Sequence, residues 1–405
     1  MSDSTESTRQ SRGSAAPPTA SAAHQRGLPS TFVLALGTFA VGTDAFVLAG
    51  FLPSMAETLQ VPEAAAGQSV TIFAIAYAVL APVIATLTAQ LERRTLLVAA
   101  LGLLALANVG SALAPNLTML LVTRVIAAAG AAAYTPNAGA VAAILVRPEL
   151  RGRALAVVVG GLTIATALGV PLGSLAGQWF GWRTALGLVA ALCLLAAGGV
   201  FAIMPRLPGN PRVPLRERLS VLGRPAVLAV LPLTALGMGA SYTVYAYSVP
   251  VMNAVGVPTV SVAAMLFLYG LGAVVGNLLA GVGTDRWGAV RMLTLAYLAM
   301  TASLAVLAWI STIGGVPMYV VGVLVLVWGG SSWSQTPPQQ HRLIAAAPDN
   351  SSLVVSLNSS AIYLGIGLGT GFGGLALNSG PTAAYILGAV IAAGAAIFLG
   401  VTSRR

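Results

Sequence analysis

Asp44 and Arg124 are the residues most able to do chemistry in this chain. The sequence holds 20 basic and 10 acidic side chains, and of these 30 only Asp44 and Arg124 fall inside long apolar runs. An ionisable group at the centre of a bilayer costs about 3 kcal/mol even on lenient scales, so it is kept where a cavity or a proton path uses it. A carboxylate beside a guanidinium suits proton exchange. Burial favours the neutral acid, the cation favours the carboxylate, and small changes in hydration or occupancy tip the balance. Other chemistries lack their parts. His24 lies in a polar tail and His341 in a loop, no metal-ligand cluster occurs, and no serine has an evident base. A Gly-rich phosphate loop ending in Lys-Ser/Thr is also absent. Catalysis, a metal, a cofactor and ATP drive within the chain are therefore not expected.

The elements that must position this pair are membrane helices. The chain is 57% hydrophobic and 7% charged, with a mean hydropathy of +0.88. Soluble domains carry roughly 25% charged residues, so the composition is that of an integral membrane protein. Lys is absent, and all the basic residues are Arg. The net charge of +10 would suggest nucleic acid in a soluble protein, but its placement is topological. Cys193 is the sole cysteine, so no disulfide can form within the chain. It reads as a small buried hydrophobe.

Pro, Gly and Arg punctuation divides the sequence into twelve runs near the ~20 residues that a bilayer requires. The predicted spans are 29–52, 66–89, 95–114, 117–145, 153–177, 182–204, 225–252, 259–283, 289–311, 316–339, 351–377 and 382–402. With the amino terminus inside, 18 arginines fall in inner loops and tails and Arg183 alone in an outer loop. That bias fixes the orientation, with both termini cytoplasmic. Residues 1–27 read as a disordered cytoplasmic tail, and 403–405 as a second tail. The proline- and arginine-rich stretch 205–224 reads as a cytoplasmic linker, with Leu215 to Leu222 as an interfacial helix.

The chain repeats itself at an offset near 200. Pro148-Glu149 precedes span 5 and Pro348-Asp349 precedes span 11; Gly169 and Gly173 are matched by Gly369 and Gly373. The expectation is an all-α polytopic protein of two six-helix pseudo-repeats, 28–204 and 225–402, rocking about a central site.

From Leu28 to Thr402 the sequence resembles the major facilitator superfamily, and within it the twelve-span drug:proton antiporters. The first span, Gly42-Thr43-Asp44-Ala45-Phe46-Val47-Leu48-Ala49-Gly50-Phe51-Leu52-Pro53, is similar to that of bacterial chloramphenicol-resistance exporters and their sugar-efflux relatives. The family loop motif stands as Gly281, Asp285, Arg286, Gly288 and Arg291. The amino-terminal copy is degenerate: Ala85, Ala89, Gln90 and Glu92 replace its key members, leaving Arg93 and Arg94. The resemblance implies that this motif latches the halves at the cytoplasmic face. The fourth-span motif appears as Arg124 and Gly130, and the fifth-span antiporter motif as Gly161, Gly169, Pro171, Gly173 and Gly177. The last three glycines recur every four residues and share one helix face that permits close approach. In the resembled group that face closes the outer side, which favours export.

Asp44 sits about nine residues, ~13 Å, below the outer end of span 1, and Arg124 about eight residues, ~12 Å, below the same face. In the resembled fold spans 1 and 4 both line the cavity, so the two charges are expected to meet there and couple protons to transport. Candidates for the substrate surface are Tyr134 and Asn137 in span 4, Tyr242, Tyr245 and Asn253 in span 7, and Asn277 in span 8. Trp333 and Gln335 in span 10 and Asn358 and Tyr363 in span 11 complete them. An apolar cavity with scattered hydroxyls and amides suits a small amphipathic molecule.

The expected function is proton-coupled efflux of chloramphenicol-like or related compounds by a monomer in the bacterial inner membrane, its partners being substrate, protons and lipid, with no nucleic acid. A sugar or metabolite exporter, or an uptake permease, is the alternative within the fold. A non-transporting receptor or assembly protein is opposed by the two intramembrane charges and by the short loops.

Overall fold

The structure, a computed structural model, describes residues 27–147, 150–209, 211 and 214–403. Residues 1–26 of the predicted tail, Pro148-Glu149 of the repeat, Arg212 of the linker and Arg404-Arg405 lie outside the described residues. Helix dominates, and no strand occurs among the described residues.

A helix lies over every predicted run, and eleven of them are long and apolar enough to cross a bilayer. Span 2 is Glu63–Leu87, span 3 Arg93–Ala112, span 4 Leu117–Leu145 and span 6 Trp182–Ile203. Span 8 is Val262–Trp287, span 9 Ala289–Ile313, span 11 Ser351–Leu377 and span 12 Pro381–Thr402. The remaining four are interrupted, each for a local reason.

Span 1 runs Gly27–Phe46, tightens into a 3-10 turn at Val47–Gly50 and resumes as Leu52–Leu59. It therefore extends beyond its expected end, because Pro53 falls in the first turn of the new helix, where a missing N–H costs nothing. Span 5 runs Arg151–Ile164, widens into a π turn at Ala165–Gly169 and continues as Val170–Phe180 with Pro171 in its first turn. The wider turn gives the proline ring the room that a regular helix denies it. Span 7 is divided into Pro225–Leu228, Leu231–Tyr245 and Ser248–Ala254.

Span 10 is the one that falls short. Its first piece, Met318–Trp333, has 16 residues. The chain turns at Ser334-Gln335 and continues as Thr336–Ala346, with proline at the start. Pro337 and Pro338 cannot donate back to the preceding turn, so the helix must restart.

Turns between spans follow from residue type. Gly181 and Gly288 adopt φ +85° and +86° between spans 5 and 6 and between spans 8 and 9. That backbone region with ψ near 150° is open to glycine and little else. Gly288 of the loop motif is thus required by the turn. Its degenerate counterpart, Glu92, sits at φ −54° and forms a different turn.

Spans 1 to 6 pack as 3 on 4 and 6, 2 on 4, and 1 on 5 and 6. Spans 7 to 12 pack as 7 on 11 and 12, 8 on 10, and 9 on 10 and 12. Span 2 against span 11, and span 5 against span 8, join the two groups. The approach is close because small residues line the seams. A β-carbon at Gly270 would overlap the Thr166 carbonyl across the span 5–span 8 contact. One at Gly369 would overlap the Gly239 carbonyl between spans 7 and 11. In lipid such backbone proximity replaces the hydrophobic drive that water supplies to soluble bundles.

Candidate functional site

Asp44 lies in the last turn of Gly27–Phe46, just before the helix tightens, and Arg124 lies in the second turn of span 4. They meet. Arg124 Nη1 donates to Asp44 Oδ1 at 2.7 Å, and Nη2 donates to the Asp44 carbonyl at 3.2 Å. A carbonyl near a helix end can take this second bond, since the helical ladder is running out. Both side chains are 0% exposed. The guanidinium also lies 4.4 Å over the Phe73 ring of span 2. Asp44 Oδ2 has no hydrogen-bond partner among the described residues. The acid is thus held by one oxygen and has the other free.

Two aromatic clusters flank the pair, and each joins helices from both groups. Phe46, two residues after Asp44, lies 5.8 Å from the Tyr242 ring of span 7 and 6.1 Å from Trp333 of span 10. The cluster continues from Tyr242 to Tyr245 at 5.1 Å, to Tyr269 at 4.6 Å and to Trp328 at 4.9 Å. On the other side Tyr77 of span 2 stacks on Tyr363 of span 11 at 3.7 Å, with Phe73 6.2 Å from Tyr363.

Hydrogen bonding separates the rings that hold the first cluster from those left open. Ser241 Oγ accepts from Trp328 Nε1 at 3.0 Å and from Ser332 Oγ at 2.7 Å, and it lies 3.0 Å from the Tyr269 hydroxyl. Trp328 and Tyr269 are therefore tied in place. The buried hydroxyls of Tyr242 and Tyr245 have no hydrogen-bond partner among the described residues. An unmet buried hydroxyl costs about 1–3 kcal/mol, so these two groups have hydrogen-bonding capacity to offer a water or a ligand.

Tyr242, Tyr245 and Trp333 thus belong to the cluster that begins at Phe46, and Tyr363 to the stack beside Phe73. Tyr134 instead donates to the Leu34 carbonyl at 3.1 Å and ties span 4 to span 1. Asn137 is bound to Arg93, as described below. Gln335 is fully buried at the span 10 turn, where Tyr297 donates to its Oε1 at 3.1 Å and its Nε2 bonds the Ser332 carbonyl. Asn358 accepts from Thr234 at 2.9 Å. Asn253 is exposed and contacts Thr259, away from the cluster, because span 7 ends at Ala254. Asn277 is half-buried on span 8, beside the contact of Gly276 with Gly330.

Sequence reasoning passed over Phe46, Phe73, Tyr77, Tyr269 and Ser241. Phe73 and Tyr77 carried a usable signal, since a spacing of four puts them on one helix face.

The two ends of the bundle differ. Near the ends of spans 2, 7 and 11 that carry Glu63 and Ala254, Tyr247 donates to the Thr370 carbonyl at 3.0 Å, and a β-carbon at Gly67 would overlap its hydroxyl. At the arginine-rich end Arg93 is buried without an acid among the described residues. Its Nη1 donates to Asn137 Oδ1 at 2.8 Å and its Nη2 to the Ala89 carbonyl at 2.9 Å.

Residues 34–370 match the family model described as the Major Facilitator Superfamily. The chain belongs to the major facilitator superfamily. It is 31% identical over 377 residues to the inner membrane transport protein YdhP of Escherichia coli K12, covering 92% of this chain and 95% of the relative. It is 32% identical over 347 residues to the chloramphenicol resistance protein of Streptomyces lividans, covering 84% and 86%. Among solved structures, the E. coli xylose transporter XylE in a partially occluded inward-open conformation superposes with a TM-score of 0.73 at 16% identity, over 93% of this chain and 99% of that one. The protein is a multi-pass membrane transporter of that superfamily, and not an enzyme.

Within this major facilitator superfamily fold, the fifth-span glycines seat span 1. β-Carbons at Gly161, Gly169 and Gly173 would overlap Thr38, Thr43 and Val47, and one at Gly177 would crowd Phe51. Asp285, Arg286 and Arg291 are exposed and form no ion pair among the described residues. Arg94 leans on the Phe201 ring at 5.3 Å.

Proposed function

We propose that this transporter exports small, uncharged amphipathic compounds of the chloramphenicol class in exchange for protons. It works as a monomer of twelve spans in the bacterial inner membrane, with both termini in the cytoplasm. The two halves, 28–204 and 225–402, joined by the linker 205–224, alternate access to one site. The observation that carries this reading is the Asp44 carboxylate, fully buried, held by Arg124 through one oxygen and beside an aromatic cluster with unpaired hydroxyls.

A proton arriving from outside neutralises Asp44 and weakens its hold on Arg124. Loss of that ion pair frees span 1 relative to span 4, and Phe46 transmits the change to Tyr242 and Trp333. Substrate in the aromatic cluster favours the conformation that has lost the proton inward. It does so only to the extent that it binds that conformation more tightly. Two tyrosine hydroxyls among several rings suit a flat molecule with a few acceptor atoms better than a polyol, whose hydroxyls would need many more partners. The similarity to the S. lividans chloramphenicol resistance protein supports the same reading.

The test is expression in a drug-sensitive host, with chloramphenicol accumulation followed with and without a protonophore. Accumulation should fall on expression and recover when the proton gradient collapses. Accumulation that never changes would remove the exporter reading for that drug, and export indifferent to the protonophore would remove proton drive.

A further inference from the structure

At the arginine-rich end of spans 7 to 12 lies a cavity of about 1230 Å³, enclosed by the start of span 7, the turn between spans 8 and 9, the second piece of span 10 and the end of span 12. Arg291, Arg342 and His341 line it, and no carboxylate does among the described residues. Among the described residues Arg342 has one hydrogen bond, to the neutral Gln339 side chain at 3.3 Å. Neither guanidinium forms an ion pair among the described residues. The half-exposed Trp287 ring stands at the rim.

The corresponding end of spans 1 to 6 is closed by the chain itself. After span 6, Leu207 packs on the core and its carbonyl accepts from the Arg93 N–H at 2.9 Å. A β-carbon at Gly209 would overlap the Gln90 backbone. Among the described residues the turn at Trp287–Arg291 has a cavity where that cover lies, and the positions near an offset of 200 from His341 and Arg342, Val141 and Ala142, are apolar. Of the lining cations, His341 and Arg342 are therefore particular to this half.

We propose that the cavity binds the phosphate headgroup of an anionic phospholipid. The guanidinium fork of each arginine matches phosphate oxygens. The site sits at the level of the inner-leaflet headgroups, given the arginine-determined orientation, and an indole at its rim is a residue type enriched at that depth. Basic pockets between helices on this side of a membrane are suited to anionic headgroups, whose attraction to each nearby arginine is worth about fivefold in affinity. The inference is independent of the exported substrate.

The test uses the purified full-length protein, exchanged with equal amounts of cardiolipin and phosphatidylethanolamine, with retained lipid read by native mass spectrometry. Cardiolipin should be retained in clear excess. R291Q/R342Q should lower its retention by about 25-fold, the product of two fivefold effects. R291K/R342K should fall between the two, since it keeps the charge and loses the fork. Equal retention of the two lipids by the wild-type protein would overturn the proposal whether or not the variants fold. So would retention by R291Q/R342Q equal to that of the wild type. Displacement of cardiolipin by millimolar inorganic phosphate would mean that a small free anion is the ligand, and would overturn the lipid assignment.

Discussion

Replacing Asp44 by Asn removes a negative charge while keeping the side chain's shape, and leaves the buried Arg124 cation without its acid. What remains to it is a neutral amide oxygen in place of the carboxylate, the residue 44 carbonyl at 3.2 Å and the Phe73 ring at 4.4 Å. A desolvated cation–π contact contributes about 2 kcal/mol, which does not offset a buried charge left unpaired. Removing one partner of a buried pair costs about 3–5 kcal/mol. At about 2.1 cal/mol/K of unfolding entropy per residue, a chain of 405 residues should lose about 4–6 °C in thermal midpoint. The double variant D44N/R124Q should recover most of this loss, since no charge is then buried. Both variants should lose ΔpH-driven export of chloramphenicol from proteoliposomes. The pair of readouts separates two roles for one contact. If D44N still exports under a pH gradient, Asp44 is a structural tie and the coupling argument fails. If D44N/R124Q regains both stability and coupling, the pair has no part in proton transfer.

Further outcomes follow from the same geometry. Tyr242→Phe and Tyr245→Phe should raise the KM for export severalfold while leaving the thermal midpoint equal or higher, because each deleted hydroxyl has no partner to lose. Gly270→Val should stop transport, because its side chain would press on the Thr166 carbonyl, where backbone cannot give way. A stability loss of about 1–3 kcal/mol is expected, readable by thermal unfolding. Tyr297→Phe should cost about 1–3 kcal/mol by the same assay, since it strips a buried Gln335 oxygen of its donor. Asn137→Ala should leave the buried Arg93 one acceptor short and lower the thermal midpoint without altering which compounds are exported.

The spans were legible because hydrocarbon imposes its own length and punctuation on a helix, and the charge pair because ionisable groups there are so few. What escaped reading depends on which way a helix face turns. Phe46, Phe73 and Tyr77 are ordinary apolar residues until packing turns them inward, against Tyr242, Arg124 and Tyr363, and not to lipid. Asn137 was expected in the cavity, but the degenerate loop motif had already left Arg93 without an acid, and Asn137 with the Ala89 carbonyl supplies neutral acceptors in its place. In span 10 the stretch Gly329-Gly330-Ser331-Ser332 followed by Pro337-Pro338 reads either as a bending segment or as a weakly apolar helix lying against its neighbours, and both readings apply to different parts of it. The glycines let span 8 approach, against the Tyr269 carbonyl and Gly272, and the helix breaks later, at Ser334-Gln335, where two prolines follow. The fifth-span glycines announced close packing correctly, but a four-residue spacing carries no information about which helix fills the groove.

Proton release on substrate binding bears most directly on the coupling role of Asp44. Purified protein in weakly buffered solution with a pH indicator is mixed with saturating chloramphenicol, and binding is followed in parallel by the fluorescence of Trp333 and Trp328 beside the site. Wild-type protein should release protons as it binds, and D44N should bind with none released. Equal release from the two proteins would contradict the account, because another group would then be carrying the proton.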